Sequence, residues 1–330
     1  MRLAASPEDF IVDELPLYPP AGEGAHTFVR VEKRLRTTED VAHALARLAG
    51  VAPGDVGYAG RKDRVAVARQ WLSVPGLDPA GLGGFAGDGF RVLEAARHPH
   101  KLRTGQLRAN RFELVVRELT PLELASAPER LARLVAHGMP NRFGPQRYGR
   151  GGDNAEAARA LLAGASVGRD RRAARFLLSA LQAEVFDACL RARPLPLDAV
   201  EVGEVAFLHA GGASFVVEEL AREAPRALAF EISATGPIFG TRLLEARGEA
   251  AERERAALRA HGIPLPLRAP PGIRLRGARR PVRVRPEDAH CEPAGGDAVR
   301  LRFTLPPGSY ASVLAAALFE APESPGTADR

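Results

Sequence analysis

The chain has 330 residues, is 45% apolar and 26% charged, and carries a formal net charge of +6 at pH 7. This length and apolar content predict two domains with substantial hydrophobic cores. The two cysteines, Cys189 and Cys291, lie too far apart for a disulfide framework or a zinc cluster. No apolar run suits a signal peptide or a membrane span, so we expect a soluble cytoplasmic protein.

Arginine supplies most of the positive charge, in clusters at 142–150, 169–175 and 274–285. Arginine-rich surfaces favour a phosphate-bearing partner such as nucleic acid. A genome of high GC content, which uses Arg in place of Lys and is rich in Ala, Gly and Pro, would give the same composition. Charge alone therefore leaves both explanations open.

The first half of the chain predicts strands interrupted by one early helix. Residues 7–15 predict a short strand, and residues 26–33, which alternate around valines, predict a second one. Thr37 or Thr38 caps a helix, and Gly50 ends it. This order of elements indicates a mixed α and β architecture from the start of the chain.

After that helix, residues 56–74 predict a turn followed by a strand, and residues 75–90 predict a glycine-rich loop. Alternating apolar residues at 112–117 predict another strand, and residues 121–137 predict a helix. The aromatic and basic segment 140–149 contains too much Gly and Pro to be regular.

The second half of the chain predicts helices separated by short strands and loops. Helices are predicted at 154–164, 171–193 and 249–261. Residues 299–305 alternate between apolar and polar, which predicts a strand, and Ser309 caps a last helix. Because a strand so near the C-terminus needs a partner, we expect it to join the sheet of the first half.

That pairing predicts a discontinuous α+β domain of residues 1–149 and 281–330. Residues 150–280 would then form an inserted domain. Two domains in simple succession are the alternative, and they would leave the last strand without a sheet.

The stretch 56–71 combines two glycines, a tyrosine, the run Arg61-Lys62-Asp63-Arg64 and the only tryptophan. One carboxylate among three cations should stay ionised, because neighbouring positive charge stabilises the anion. An ionised carboxylate in a flexible, basic, aromatic-flanked turn suits work on a polyanion. An aspartate in such a turn also suits a purely local role, in which it bonds its own backbone.

Seven motifs follow one another along the chain: Pro7-Glu-Asp-Phe-Ile-Val-Asp-Glu14, Gly22-Glu-Gly-Ala-His26, Gly57-Tyr-Ala-Gly-Arg-Lys-Asp-Arg64, Lys101-Leu-Arg103, Asn110-Arg-Phe112, Pro140-Asn-Arg-Phe-Gly-Pro-Gln-Arg-Tyr-Gly149 and Leu305-Pro-Pro-Gly-Ser-Tyr-Ala311. Each motif is modest alone, but seven in the right order are specific. Together they resemble the TruD family of tRNA pseudouridine synthases, which modify uridine 13.

The resemblance implies an α+β pseudouridine-synthase fold, with a mixed, largely antiparallel sheet and flanking helices, interrupted by a smaller α+β insertion. The family's essential aspartate falls on Asp63. Its uridine-contacting asparagine and its stacking phenylalanine fall on Asn110 and Phe112. An N-terminal aromatic falls on Phe10, and a C-terminal aromatic beside the target falls on Tyr310.

The resemblance also implies tRNA as the partner. The sequence has no dinucleotide fingerprint, metal cluster or phosphate loop, so we expect neither cofactor nor metal, and because no association helix is evident we expect a monomer. The basic segments 97–108, 141–150 and 169–175 would hold tRNA phosphates. Among the cations, Lys62 and Arg147 are expected to bind the RNA.

One position departs from the family pattern. A Lys or Arg is expected three residues before Pro7, and this chain has Ala4 there. Such a cation would help to keep the essential carboxylate ionised. Arg2, Lys62 or Arg64 could take its place.

The resemblance thus implies an isomerase that acts on uridine 13, in which Asp63 attacks the sugar or the base or stabilises a transient cationic sugar. The alternative is a non-catalytic RNA-binding or RNA-chaperone protein on the same fold. The departure at Ala4 favours that alternative, whereas Asp63 and Asn110 argue against it.

Overall fold

A computed structural model describes residues 1–3, 6–144, 147–148, 153–166 and 170–320. The chain forms two compact units, the first from Met1–Ala132 and Pro286–Ala311 and the second from Arg133–Arg285 and the segment that begins at Ser312. The functional division into residues 1–149 with 281–330 and an insertion at 150–280 stays a prediction. Among the described helices, none combines the length and the apolar character needed to cross a bilayer.

The strands are β1 (Arg2–Leu3), β2 (Phe10–Pro16), β3 (His26–Lys33), β4 (Gly57–Tyr58), β5 (Val67–Pro75), β6 (Ala86–Gly87), β7 (Phe90–His98), β8 (Leu107–Arg117), β9 (Met139–Pro140), β10 (Val205–Leu208), β11 (Ser214–Val216), β12 (Ile232–Ile238), β13 (Ala278–Pro281), β14 (Arg283–Val284), β15 (Glu287–Gly295) and β16 (Ala298–Leu305). The helices are α1 (Thr38–Ala49), α2 (Pro121–His137), α3 (Asp153–Leu162), α4 (Arg171–Ala192), α5 (Leu220–Leu228), α6 (Gly248–Ala260) and α7 (Ala311–Phe319).

The first unit is built on one sheet with the strand order β15-β16-β8-β2-β5-β3-β7-β6, to which β1 adds beside β8 and β4 beside β5. The β2–β5 pair is parallel, and every other described pair in this sheet is antiparallel. The mixed, largely antiparallel sheet is therefore confirmed. The last strand, β16, runs antiparallel to β8, which confirms that it joins the sheet of the first half.

Helix α1 forms where the sequence predicts it, because both of its ends carry a capping signal. Thr37 accepts a hydrogen bond from the backbone of Asp40, whose carboxylate accepts from the Thr37 backbone in return. Gly50 ends the helix at φ +66°, a left-handed conformation that favours glycine. The buried face of α1 packs on the sheet through Val29, Val31, Val41, Leu45, Leu72 and Val74.

Several segments of the first unit differ from the sequence prediction. Pro7–Asp9 forms a short 3₁₀ turn instead of the start of a strand, because proline opens a helical turn well. Strands β7 and β15 were not predicted. β15 is an edge strand that contains Glu287, Asp288, His290, Glu292 and Pro293, so it lacks the apolar alternation that marks a half-buried strand.

The second unit contains the four-stranded sheet β11-β10-β12-β13 and the pair β9–β14. Arg283 of β14 is fully buried, and its guanidinium donates to Ser233 Oγ at 3.0 Å and to the carbonyl oxygen of His137 at 2.7 Å. It also donates to the carbonyl oxygens of Ala227 and Ile232. Burial lowers the pKa of Arg283 to about 10, so the side chain remains a cation at neutral pH.

Candidate active site

A row of buried polar side chains crosses four adjacent strands of the first unit. Asn110 on β8 is the cross-strand partner of Glu14 on β2, and Gln70 on β5 and Lys33 on β3 continue the series. Their exposed fractions are 9%, 2%, 0% and 0%. Buried polar groups are expensive without partners, so their contacts define what this face of the sheet is built to hold.

Lys62 contacts the end of this polar row that is formed by Glu14 and Asn110. Its Nζ lies 2.8 Å from Glu14 Oε2 and donates to Asn110 Oδ1 at 2.5 Å. Glu14 Oε1 in turn accepts from the backbone of Trp71 at 3.2 Å. The Lys62 and Glu14 side chains are 6% and 1% exposed, so this is a buried ion pair.

The contact with Lys62 fixes the orientation of the Asn110 amide. An ammonium group can only donate, so the oxygen of the amide must face it. The amide NH2 group of Asn110 is then turned away from Lys62. Asn110 can therefore donate to a ligand while its acceptor is already in use.

The other cations of the 61–64 run are also engaged within the protein. Arg61 Nε lies 2.5 Å from Glu39 Oε1 on α1, and Arg64 Nε donates to the carbonyl oxygen of Leu35 at 3.2 Å. Asp63 is exposed, and none of the described residues donates a hydrogen bond to its carboxylate. The cations of the run thus bind other parts of the first unit, and the carboxylate of Asp63 stays accessible.

The backbone of Asp63 is held by a hydrogen bond from Lys33. Lys33 Nζ, at the end of β3, donates to the carbonyl oxygen of Asp63 at 2.6 Å. The Lys33 side chain is fully buried, and this burial lowers its pKa to about 8. A cation that the sequence analysis did not single out therefore lies under the loop.

The two glycines of the Asp63 stretch differ in their structural role. A Cβ at Gly57 would collide with the carbonyl oxygen of Leu102 and with Ser73 Oγ, so only glycine allows this approach. At Gly60 an added Cβ would meet only Lys62 Nζ, at 3.8 Å. The close approach of β4 to the 102 segment therefore depends on Gly57 alone.

Phe10 and Phe112 come together in an aromatic row. Their ring centroids are 6.2 Å apart and the rings are nearly parallel, while Phe112 also stacks on Phe303 at 5.5 Å. Phe112 is 7% exposed, whereas Phe10 at the end of the row is half-buried. Phe112 is thus a packed residue of the sheet face, and Phe10 is its more accessible neighbour.

Tyr310 and the cations near the N-terminus are the remaining candidates of the first unit. Tyr310 is half-buried on the segment that joins β16 to α7. Ala4 lies outside the described residues. Of the cations considered as its replacement, Arg2 lies 3.6 Å from Glu118, and Lys62 and Arg64 have the partners described above.

Arg147 belongs to the second unit, in the aromatic and basic segment that precedes α3. Its guanidinium lies 5.9 Å from the ring of Phe143 and 5.8 Å from that of Phe176. Asp187 of α4 accepts from the Phe143 backbone at 3.1 Å and from the Tyr148 hydroxyl at 2.5 Å. A buried carboxylate thus anchors the segment that carries Arg147.

Replacing Asp187 by Asn tests how this anchor depends on charge. Burial raises the pKa of Asp187 above its ordinary value, although the bonds from Tyr148 and Phe143 act in the opposite direction. Between the ordinary pKa of an aspartate and the raised pKa of Asp187, the folded protein binds more protons than the unfolded chain. The stability of wild type therefore falls as pH rises through that interval, relative to the neutral Asp187→Asn variant. Thermal unfolding of both proteins at several pH values between about 4 and 7 measures the difference. A wild-type gain with rising pH would contradict the assignment.

The sequence predicted Asp63, Asn110 and Lys62 as site residues, but it did not single out Glu14 and Lys33, which contact them. Glu14 and Lys33 both fall on the inward side of alternating strands, in phase with Val12 and Val31 respectively. A charged residue at an inward position is a signal, because such a residue needs a partner to be buried. That alternation could have identified both residues.

Comparison with known proteins gives consistent matches over nearly the whole chain. The family model described as tRNA pseudouridine synthase D (TruD) matches residues 1–167 and 169–317. A tRNA pseudouridine synthase D from Anaeromyxobacter sp. (strain Fw109-5) is 46% identical over 97% of this chain and 92% of its own length. One from Thermus thermophilus is 40% identical over 95% and 87%. A crystal structure of the putative enzyme from Methanosarcina mazei shares the fold, with a TM-score of 0.72, 21% identity and coverage of 97% and 93%.

Proposed function

Because this chain belongs to the TruD family of tRNA pseudouridine synthases, we propose that it isomerises uridine 13 of tRNA with Asp63 as the essential carboxylate. The family makes it a tRNA-modifying isomerase. The position within the tRNA follows from the motif resemblance. The same motif and the geometry of its loop support the role of Asp63.

The reaction is an isomerisation that conserves every atom of the nucleotide. The bond from C1′ of the ribose to N1 of uracil breaks, the base turns, and a bond from C1′ to C5 forms. The proton that C5 loses is balanced by one that N1 gains. The protein must therefore stabilise a separated sugar and base and prevent water from reaching the sugar.

The observation that carries the proposal is the open carboxylate of Asp63 on a loop whose other charged side chains are engaged. Neighbouring cations that are already bound leave the carboxylate accessible to the substrate. As a nucleophile it would form a covalent intermediate, and as a counter-ion it would stabilise a cationic sugar. In both routes the carboxylate has to be ionised and fixed relative to C1′.

The target base would be recognised on the face of the sheet that carries Asn110. The free NH2 group of this amide is a donor, which suits a carbonyl oxygen of uracil. The accessible ring of Phe10 offers a surface for stacking, worth about 1–3 kcal/mol for a base on an aromatic side chain. Extrusion of a base from a folded RNA requires a few kcal/mol, which stacking and phosphate contacts would offset.

Phosphate contacts are assigned to the basic segments 97–108, 141–150 and 169–175. Within them, Arg147 is supported by its placement between two aromatic rings, which limits the freedom of a guanidinium before it binds. The third segment includes the start of helix α4, where Arg171, Arg172 and Arg175 are exposed. These residues carry the proposed interaction with tRNA.

Pseudouridine mapping at single-nucleotide resolution tests the proposal. Purified wild-type protein is incubated with a tRNA transcript that has uridine at position 13 and with a matched transcript that has cytidine there. We expect stoichiometric conversion at position 13 of the first transcript and no pseudouridine in the second. Conversion at a different position would correct the site, and tight binding without conversion of any tRNA would favour the non-catalytic alternative.

A further inference from the structure

Lys33 is a buried cation for which the fold alone gives no reason. It ends β3 on the face that packs against α1, and its side chain is fully buried. In the described part of the chain no carboxylate forms an ion pair with it. Among the described residues, its ammonium group donates one hydrogen bond, to the carbonyl oxygen of Asp63 at 2.6 Å.

The surroundings of Lys33 make its charge unfavourable for folding. Desolvation is the largest influence and lowers its pKa to about 8, and the nearby charge of Lys62 acts in the same direction. Asp63 on the loop and Asp40 and Glu39 on the first turn of α1 act in the opposite direction. An apolar side chain of similar length would avoid this desolvation, since uncharged replacements of buried charges are often neutral or stabilising.

We infer that Lys33 is a positioning residue for Asp63, which rests on the proposed function of that carboxylate. Its ammonium group holds the carbonyl oxygen of Asp63 and so restricts the backbone that carries the exposed carboxylate. It also keeps a positive charge under the loop. The family's basic residue, which this chain replaces by Ala4, was expected to supply such a positive charge near the carboxylate.

The loop has a second attachment that limits its freedom. The backbone of Lys62 donates to Thr38 Oγ1 at 2.9 Å, and this hydroxyl donates to Gln70 Oε1 at 2.9 Å. The peptides on either side of the Lys62–Asp63 junction are therefore held by separate residues. Without Lys33 the attachment through Thr38 remains, so the loop would keep its place while the Asp63 peptide gained freedom to rotate.

The experiment compares Lys33→Met, Lys33→Arg, Arg30→Met and Asp63→Asn with wild type. Arg30 provides the matched control because it lies on the same strand, points to the opposite face and binds Asp13 at 2.9 and 3.0 Å. Each protein is measured for its denaturation midpoint, its affinity for tRNA and its single-turnover rate. The sole tryptophan, Trp71, lies in the same sheet and reports unfolding of the first unit.

Lys33→Met is expected to be at least as stable as wild type, to bind tRNA with nearly unchanged affinity, and to react about 100-fold more slowly, the scale of a misplaced catalytic group. Arg30→Met is expected to give the opposite pattern. It removes the partner of a largely buried Asp13, so its midpoint falls while its rate is kept.

The pH profile gives an independent readout that packing alone would not change. The ammonium group of Lys33 loses its proton above about pH 8, so the wild-type rate should decline there. Lys33→Arg keeps its charge at higher pH and should shift the decline upward. The residual rate of Lys33→Met should not decline above about pH 8. If Lys33→Met does not fold, the wild-type and Lys33→Arg profiles still decide the question.

Three outcomes would overturn the inference. A Lys33→Met rate within about threefold of wild type would remove the positioning role, and a joint fall of stability and rate would reduce Lys33 to a packing residue. An unchanged wild-type rate through pH 8 and beyond would exclude its charge from the reaction. An active Asp63→Asn variant would instead refute the proposed function, whereas an inactive one beside a fully active Lys33→Met refutes only this inference.

Discussion

Asn in place of Asp63 is expected to lower the single-turnover rate of pseudouridine formation by at least about 10³-fold, as the loss of an essential catalytic group does in other enzymes. The amide keeps the shape of the carboxylate but loses the charge that a nucleophile or a counter-ion needs. The rate is measured by mapping pseudouridine in tRNA under conditions of excess enzyme.

Stability and binding should be nearly unaffected by the same change. Asp63 is exposed, and its carboxylate accepts no hydrogen bond from the described residues, so we expect a change in unfolding free energy within about 0.5 kcal/mol. Affinity for tRNA should likewise be retained. The combination of a lost rate with preserved folding and binding separates chemistry from structure.

Asp55 provides a matched control for the loss of one negative charge. It is exposed in the short turn before β4, and Asp55→Asn changes the net charge by the same amount eight positions earlier. We expect this variant to keep the wild-type rate. Comparable rates for Asp63→Asn and wild type would contradict the assignment, and equal losses in both variants would indicate a general effect of charge on tRNA binding.

Met in place of Lys62 is expected to destabilise the first unit by about 3–5 kcal/mol, because it leaves a buried charge without its partner. The side chain of Glu14 is 1% exposed, and among the described residues it would retain only the backbone donor of Trp71. Denaturant unfolding followed by the fluorescence of that tryptophan measures the loss. The rate should fall as well, since the Asn110 amide would lose the contact that fixes its orientation.

A double-mutant cycle shows whether the pair itself is responsible. Removing the charge of Glu14 in the Lys62→Met background, as Glu14→Gln, should recover much of the lost stability. Arg302→Met is the control on the same sheet, because Arg302 pairs with Glu292 at 3.1 Å with both side chains 44% exposed. Its effect should stay below about 1 kcal/mol. A loss of that small size for Lys62→Met would show that the pair does not hold the loop.

The family and the overall fold class were predicted from the sequence, and the comparisons and the sheet topology confirm both. The same is true of helix α1, whose caps are local signals, and of strand β16, whose alternation is complete. β15 escaped prediction because an edge strand need not have an apolar face. Apolar periodicity indicates which residues are buried, and it does not detect a strand that is held by backbone hydrogen bonds alone.

The sequence by itself determined which residue types stand in the Asp63 stretch, and its motifs predicted Asp63 and Asn110 as site residues. Only the tertiary structure decided which side chains meet. Lys62 reaches Asn110 across 48 positions of the chain, and Lys33 reaches Asp63 across 30. Cross-strand neighbours are set by sheet order and register, which depend on the pairing of distant segments. The structure therefore showed that the cations next to Asp63 in sequence contact other residues, whereas the buried Lys33 donates to the carbonyl oxygen of Asp63.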